Sequence, residues 1–214
     1  MHNLFLDAKI KKELKEFKKF KQNYTFEMKE IKQDKNGSLF CDGVCIREGE
    51  DGEWIGETET FVNVGYKFHG ALPKVLSNLF PYKFYFKGFW LESAESVFQG
   101  FKMKNKKAQR LIFSYKGLDS NNIKIAADHE WKKDMTVYFQ GKKILRDSEE
   151  FDDFIDELYV SLIQNPLYRN SLKKVGEKYI LHALGQKTKA DTVFTREEFE
   201  KELNCLKAFV QSKK

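Results

Sequence analysis

The stretch Phe89–Met103, FWLESAESVFQGFKM, constrains this chain more than any other. Ser93 is a good helix N-cap, because its hydroxyl can accept an orphan amide of the first turn. After it, Ala94, Val97, Phe98 and Phe101 recur at three-to-four-residue spacing and form one apolar stripe. Glu95, Gln99 and Lys102 recur at i, i+4 and i+7 and form a polar stripe beside it. The pattern demands a half-buried helix. A carboxylate, an amide and an ammonium aligned along it are either a site or a solvated face.

A chain of 214 residues with 41% hydrophobic residues can bury a sizeable core. The expectation is a single mainly α, multihelical domain with small antiparallel β-hairpins, over residues 61–214. Residues 1–60 precede it as a basic helix and a β-hairpin extension. Twenty Phe and nine Tyr point to aromatic core packing, with some rings free to line a groove for a flat ligand. The net charge of +6 leans toward phosphates, nucleotides or nucleic acid. Cys41 and Cys45 sit in CDGVC without a second pair, so a zinc site has no support. The four histidines, His2, His69, His129 and His182, show no ligand spacing. No apolar run reaches the length of a membrane span, and MHNLFLDAKIKK is too polar for a signal peptide. These features predict a soluble, intracellular, cytoplasmic protein.

Residues 4–22 read as an amphipathic basic helix with Leu6, Ile10, Leu14 and Phe17 on its apolar stripe. It either docks on the core or rides on a membrane or nucleic acid. Two strands are expected over 24–47, joined at Lys35-Asn36-Gly37. KFYF reads as an aromatic strand, Lys87-Gly88 as a turn, and MTVYFQGKKILRD as helix or hairpin around Gly141. Asp147–Gln164 is a helix whose acid-rich start suits its positive N-terminus. Asn165-Pro166 opens another helix, and Thr195-Arg-Glu-Glu198 is a capping box for the last one.

LSNLFPYKFYFKGFWLESAESVFQGFKM resembles the NADAR (NAD and ADP-ribose associated), or YbiA-like, family in Leu76, Ser77, Asn78, Pro81, Ser93, Glu95, Phe98, Gln99 and Lys102. Trp90, one residue farther from Ser93 than is usual in that family, and Trp131 resemble its tryptophans. The resemblance covers residues 61–210. The family's D-x-x-W-G-x-G element is absent, leaving Asp191 as the only stand-in for its Asp.

The resemblance implies an N-glycosidase that hydrolyses a ribose C1′–N bond. The implied reaction is removal of ADP-ribose from guanine bases of DNA or RNA, with no cofactor and no metal. Such a bond breaks through an oxocarbenium-like state, which needs negative charge near C1′ and an activated nucleophile. Glu95 would be the base or stabilising anion. Lys102 would form a Schiff base with the opened sugar or hold a phosphate. Gln99 would orient Glu95 or bind a hydroxyl. Trp90 and Trp131 would stack on a base, while Ser77, Asn78 and Asp191 would contact ribose or phosphate. The alternatives are cleavage of riboflavin-biosynthesis intermediates and a non-catalytic ADP-ribose or nucleotide-binding module. A nucleic-acid binder working through the N-terminal helix is a third.

Overall fold

The computed structural model describes residues 2–122 and 131–213. Residues 123–130, His129 included, lie outside the described residues. The chain divides into two compact units interleaved in sequence. The first is Met1–Asn23 with Asn78–Arg169, and the second is Tyr24–Ser77 with Asn170–Lys214. The expected mainly α class is corrected. The fold is mixed α/β, with 44% helix and 16% strand spread over several small sheets. The strands expected over 24–47 and at KFYF are present, and the run around Gly141 is a hairpin rather than a helix, so strand takes a larger share than expected.

In the first unit, helix α1 (His2–Lys21) lies along α7 (Glu149–Leu162). Ile10, Glu13 and Phe17 face inward. Lys18 and Lys21 pair with Asp153 and Asp156, and Arg169 pairs with Glu13 at 2.5 Å. The helix is therefore docked, with Lys9, Lys11, Lys12, Lys15 and Lys19 left in solvent. Hairpin β5–β6 (Phe84–Phe86, Phe89–Leu91) leads into α3 (Ala94–Gly100) and α4 (Lys106–Phe113). Helices α5 (Gly117–Asn122) and α6 (Trp131–Asp134) follow, then hairpin β7–β8 (Thr136–Phe139, Lys142–Leu145).

The core of this unit is a knot of phenylalanines. Phe154 of α7 meets Phe101 at 4.5 Å, Phe86 at 4.9 Å and Phe139 at 5.0 Å between ring centroids, all edge-to-face. Such pairs each add about 0.5–1.5 kcal/mol beyond the area they bury. Gln109, wholly buried, ties α4 to the β7–β8 turn. Its amide nitrogen donates to Met103 O and Tyr138 O at 2.6 and 2.7 Å, and its oxygen accepts from Gln140 N at 2.8 Å.

The second unit holds a three-stranded antiparallel sheet, β1–β2–β3 (Ile31–Gln33, Leu39–Cys41, Val44–Arg47). It also holds a parallel pair, β4 (Phe61–Asn63) with β9 (Tyr179–Leu181). Helix α2 (Ala71–Val75) and the last helix α9 (Arg196–Ser212) complete it, and the boundary between units falls within α8 (Pro166–Val175). The capping box of α9 forms as expected: Thr195 N donates to Glu198 Oε2 at 2.8 Å, and Glu198 N to Thr195 Oγ1 at 3.3 Å. Cys41, Ile46, Phe61 and Leu181 make a small core.

Strand β9 is held on its other side by side chains. The Asn204 amide accepts from Ile180 N at 2.9 Å and donates to Ile180 O at 2.8 Å, doing for that residue what a neighbouring strand would do. Glu200, fully buried, accepts from Arg196 Nε at 2.6 Å, Tyr179 Oη at 2.7 Å and His182 N at 2.8 Å. A buried carboxylate is tolerable there because its lone pairs are used and a guanidinium faces it.

Three hairpins turn through the same device. At Asp42-Gly43, Lys87-Gly88 and Gln140-Gly141 both central residues have positive φ, with non-glycine values of 49°, 46° and 48°. These are two-residue turns of the I′ kind, whose twist matches the flanking strands. A Cβ at Gly88 would meet nothing within 4 Å, so only backbone strain opposes it. Gly88→Ala is expected to lower the unfolding free energy by about 1–2 kcal/mol, read by urea denaturation.

The His182 imidazole donates from Nδ1 to Val64 O at 3.0 Å and packs against Phe199. Burial holds its pKa below the usual 6.5, against smaller opposing contributions from Val64 O and Glu200. Well above pH 6.5 both folded and unfolded chains carry it neutral. Below that, the unfolded chain takes up the proton that the folded one resists, so stability falls with falling pH. Urea denaturation between about pH 7.5 and 5.5 should show this loss, and His182→Gln should remove its His182 component.

Candidate functional site

Ser93 caps α3 as its sequence requires, accepting from Ser96 N at 3.2 Å. The apolar stripe is buried throughout: Ala94, Val97, Phe98 and Phe101 are 6% exposed or less. Phe101 reaches the phenylalanine knot, which fixes the rotation of the helix about its axis. That rotation sets the polar stripe. Gln99 Nε2 donates to Glu95 Oε1 at 2.6 Å, and Lys102 Nζ donates to Gln99 Oε1 at 3.0 Å. The carboxylate, amide and ammonium form a hydrogen-bonded series. Gln99 is 2% exposed, while Glu95 and Lys102 are half-buried. Among the described residues Glu95 Oε2 accepts no hydrogen bond.

Asn78 meets the start of this helix. Its backbone oxygen accepts from Glu95 N at 2.9 Å, and its side-chain oxygen accepts from Tyr159 Oη at 3.0 Å. Tyr159 was not among the residues expected here. Its signal was a polar-tipped ring inside the apolar run of α7, beside Leu158 and Leu162.

Trp90 projects from β6 and is 46% exposed. Tyr85 meets it edge-on at 5.6 Å, and Lys83 Nζ lies 5.9 Å from its ring. An exposed indole with an ammonium beside it can stack a flat ring and attract its phosphate. Trp131 is 1% exposed, its ring enclosed by protein. Ser77 and Asp191 belong to the second unit. Ser77 is buried with its amide donating to Lys74 O at 3.2 Å, and Asp191 is exposed, bonded to Thr188. Within the first unit the structure therefore joins Glu95, Gln99, Lys102 and Asn78 directly and sets Trp90 on the strand before them. The basic cluster after the helix is a solvated face: Lys104, Lys106, Lys107 and Arg110 are exposed, with Lys104 over the Tyr138 ring and Arg110 bonded to Gln140.

Among the described residues, no group of three or more His, Cys, Asp or Glu side chains is placed to hold a metal ion, and none of the helices is long and apolar enough to cross a membrane. Cys41, Cys45 and Cys205 form no disulfide.

Comparison with known proteins corrects the family expectation. The matching family profile is described as Bacteriophage protein GP30.3 and covers residues 71–208. A relative from Enterobacteria phage T4 is described as an uncharacterized 17.1 kDa protein in the Gp30-rIII intergenic region. It is 30% identical over 135 residues, which make up 62% of this chain and 88% of that protein. No solved structure matches. Nothing in these comparisons points to the NADAR or YbiA-like family. A capped helix with one polar face is a common pattern, so the shared spacing of Ser, Glu, Gln and Lys does not by itself identify a family. With a matched profile spanning most of its length, the chain belongs to the bacteriophage GP30.3 family.

Proposed function

We propose that the first unit carries an N-glycosidase site that hydrolyses a ribose C1′–N bond in a nucleotide-type substrate, with ADP-ribose on guanine of nucleic acid as the substrate. The observation that carries this reading is the Glu95–Gln99–Lys102 series. Glu95 is held at one oxygen and, among the described residues, bonded to nothing at the other, which suits a base for water or an anion facing developing positive charge at C1′. Gln99 fixes its rotamer. Lys102 lies at the far end of the series, where an ammonium suits a phosphate. Asn78 holds the backbone at the first turn of α3, and Trp90 with Lys83 offers a stacking surface for the base or adenine ring. In the proposed step, water adds to C1′, the C1′–N bond breaks with its electron pair leaving on nitrogen, and the proton taken from water is returned to the base.

Trp90 and Lys83 also favour a second reading, a module that binds ADP-ribose or a nucleotide without cleaving it. Both need only an exposed indole and a cation.

The purified protein is incubated with a guanine-ADP-ribosylated oligonucleotide and, separately, with a ribosylaminopyrimidine phosphate, and released sugar is followed by chromatography. Glu95→Gln, which keeps the bond to Gln99 sterically available, is expected to slow release by about 10²–10⁴-fold while leaving the circular dichroism spectrum unchanged. Wild-type rates in the variant would displace the site from Glu95. Binding of ADP-ribose by wild type without release from either substrate would establish the binding module instead.

A further inference from the structure

The second unit has a cleft of its own, of about 410 Å³, between the β2–β3 hairpin, β9 and α9. That volume lies in the range of small-molecule sites. Cys41 and Lys207 are two of the nucleophilic side chains that line it, with Lys29 the third. Lys207 projects from α9 beside Leu203 and Leu206, on the buried side of the helix. Its Nζ donates to Lys178 O at 2.6 Å, which fixes the nitrogen at the cleft wall. Across the cleft Lys29 pairs with Asp42 at 2.7 Å, so that cation is already neutralised. Glu177 is the remaining charged side chain lining it.

Burial acts on Cys41 and Lys207 in opposite senses, because it always opposes the charged form. It pushes the Cys41 thiol up to about 11, helped by Asp42 and Glu200, which keeps the sulfur protonated and inert. It moves Lys207 down from the usual lysine value, with the Glu177 carboxylate opposing. The lysine is thereby moved toward the neutral amine, the form that attacks carbonyl carbon. A tethered, partly desolvated amine at a polar cleft lined also by Tyr24, Thr60 and Asp42 is suited to a small hydroxylated aldehyde.

We infer that this cleft is a carbonyl-capture site, in which Lys207 Nζ forms an imine with a small polar aldehyde of the size of a short-chain sugar. The nitrogen lone pair forms the C–N bond, and the aldehyde oxygen leaves as water after taking up two protons, one from the amine and one from solvent. The product is a protonated imine on Lys207. No oxidant, metal or cofactor is needed, and the inference does not depend on the glycosidase reading of the first unit.

The full-length protein is incubated with glyceraldehyde and cyanoborohydride near neutral pH, and secondary amines are mapped by peptide mass spectrometry over time. Lys207 is expected to be modified severalfold faster than the exposed Lys15 and Lys173, with a rate that saturates as glyceraldehyde is raised. Glu177→Gln, which removes the carboxylate favouring the ammonium, is expected to speed the labelling further. Labelling of Lys207 no faster than at the exposed lysines would overturn the inference. So would fast labelling whose rate stays linear in aldehyde, which would mean a reactive surface amine with no bound complex.

Discussion

The first unit depends on the edge-to-face contact of Phe101 with Phe154. It links the end of α3 to the middle of α7, and Phe86 and Phe139 bring both hairpins to the same point. Rings packed this way have few alternative arrangements, because the positive edge of one must meet the negative face of the next. Once Phe101 is seated, α3 has no freedom to roll. Glu95, Gln99 and Lys102 then fall on the stripe beside the apolar one, where the i+4 and i+3 spacings bring them within hydrogen-bonding reach of each other. The phenylalanine content of the chain is thus less a sign of ligand binding than the means by which a seven-residue helix is held still.

The second unit solves a different problem with polar groups. Its parallel pair, β4 and β9, is only two strands wide, which is marginal for independent stability. Asn204 supplies Ile180 with both partners a third strand would give, and the Glu200 carboxylate gathers the Tyr179 hydroxyl and the His182 amide. Asn63 adds a bond to Ala183 N at 3.1 Å and another to Ile55 O at 3.2 Å. Side chains thereby complete a sheet that the backbone leaves unfinished.

What the sequence made legible was local. The N-cap at Ser93, the capping box at Thr195, proline at the first turn of α8 and the two stripes of α3 all depend on residues within one or two turns of each other. The hairpin at Gln140-Gly141 was half legible, since glycine marked the turn while the flanking run also fitted a helix. Asp42-Gly43 is a hairpin signal, yet the loosely alternating run around it reads as one strand rather than two. The pairing of residues 61–63 with 179–181 was not legible at all, because nothing local to either strand names the other. The same holds for Asn204 and Glu200, which look like ordinary polar positions on α9 until β9 is laid against them. The family expectation failed for a related reason: a short motif that makes a helix with a polar face is physically cheap, and unrelated chains can arrive at it.

The interleaving of the two units bears on how the chain emerges during synthesis. Helix α1 is made first, yet the α7 surface that receives Ile10 and Phe17 follows more than half the chain later. Strand β4 likewise waits for β9, and β9 for the Asn204 that closes its edge. Neither unit can be completed by its early segment alone. Completion of both units thereby waits until α7 and α9 have emerged, and the lysine-rich faces of α1 serve in the interval as a solubilising guard on an apolar stripe that has no partner yet.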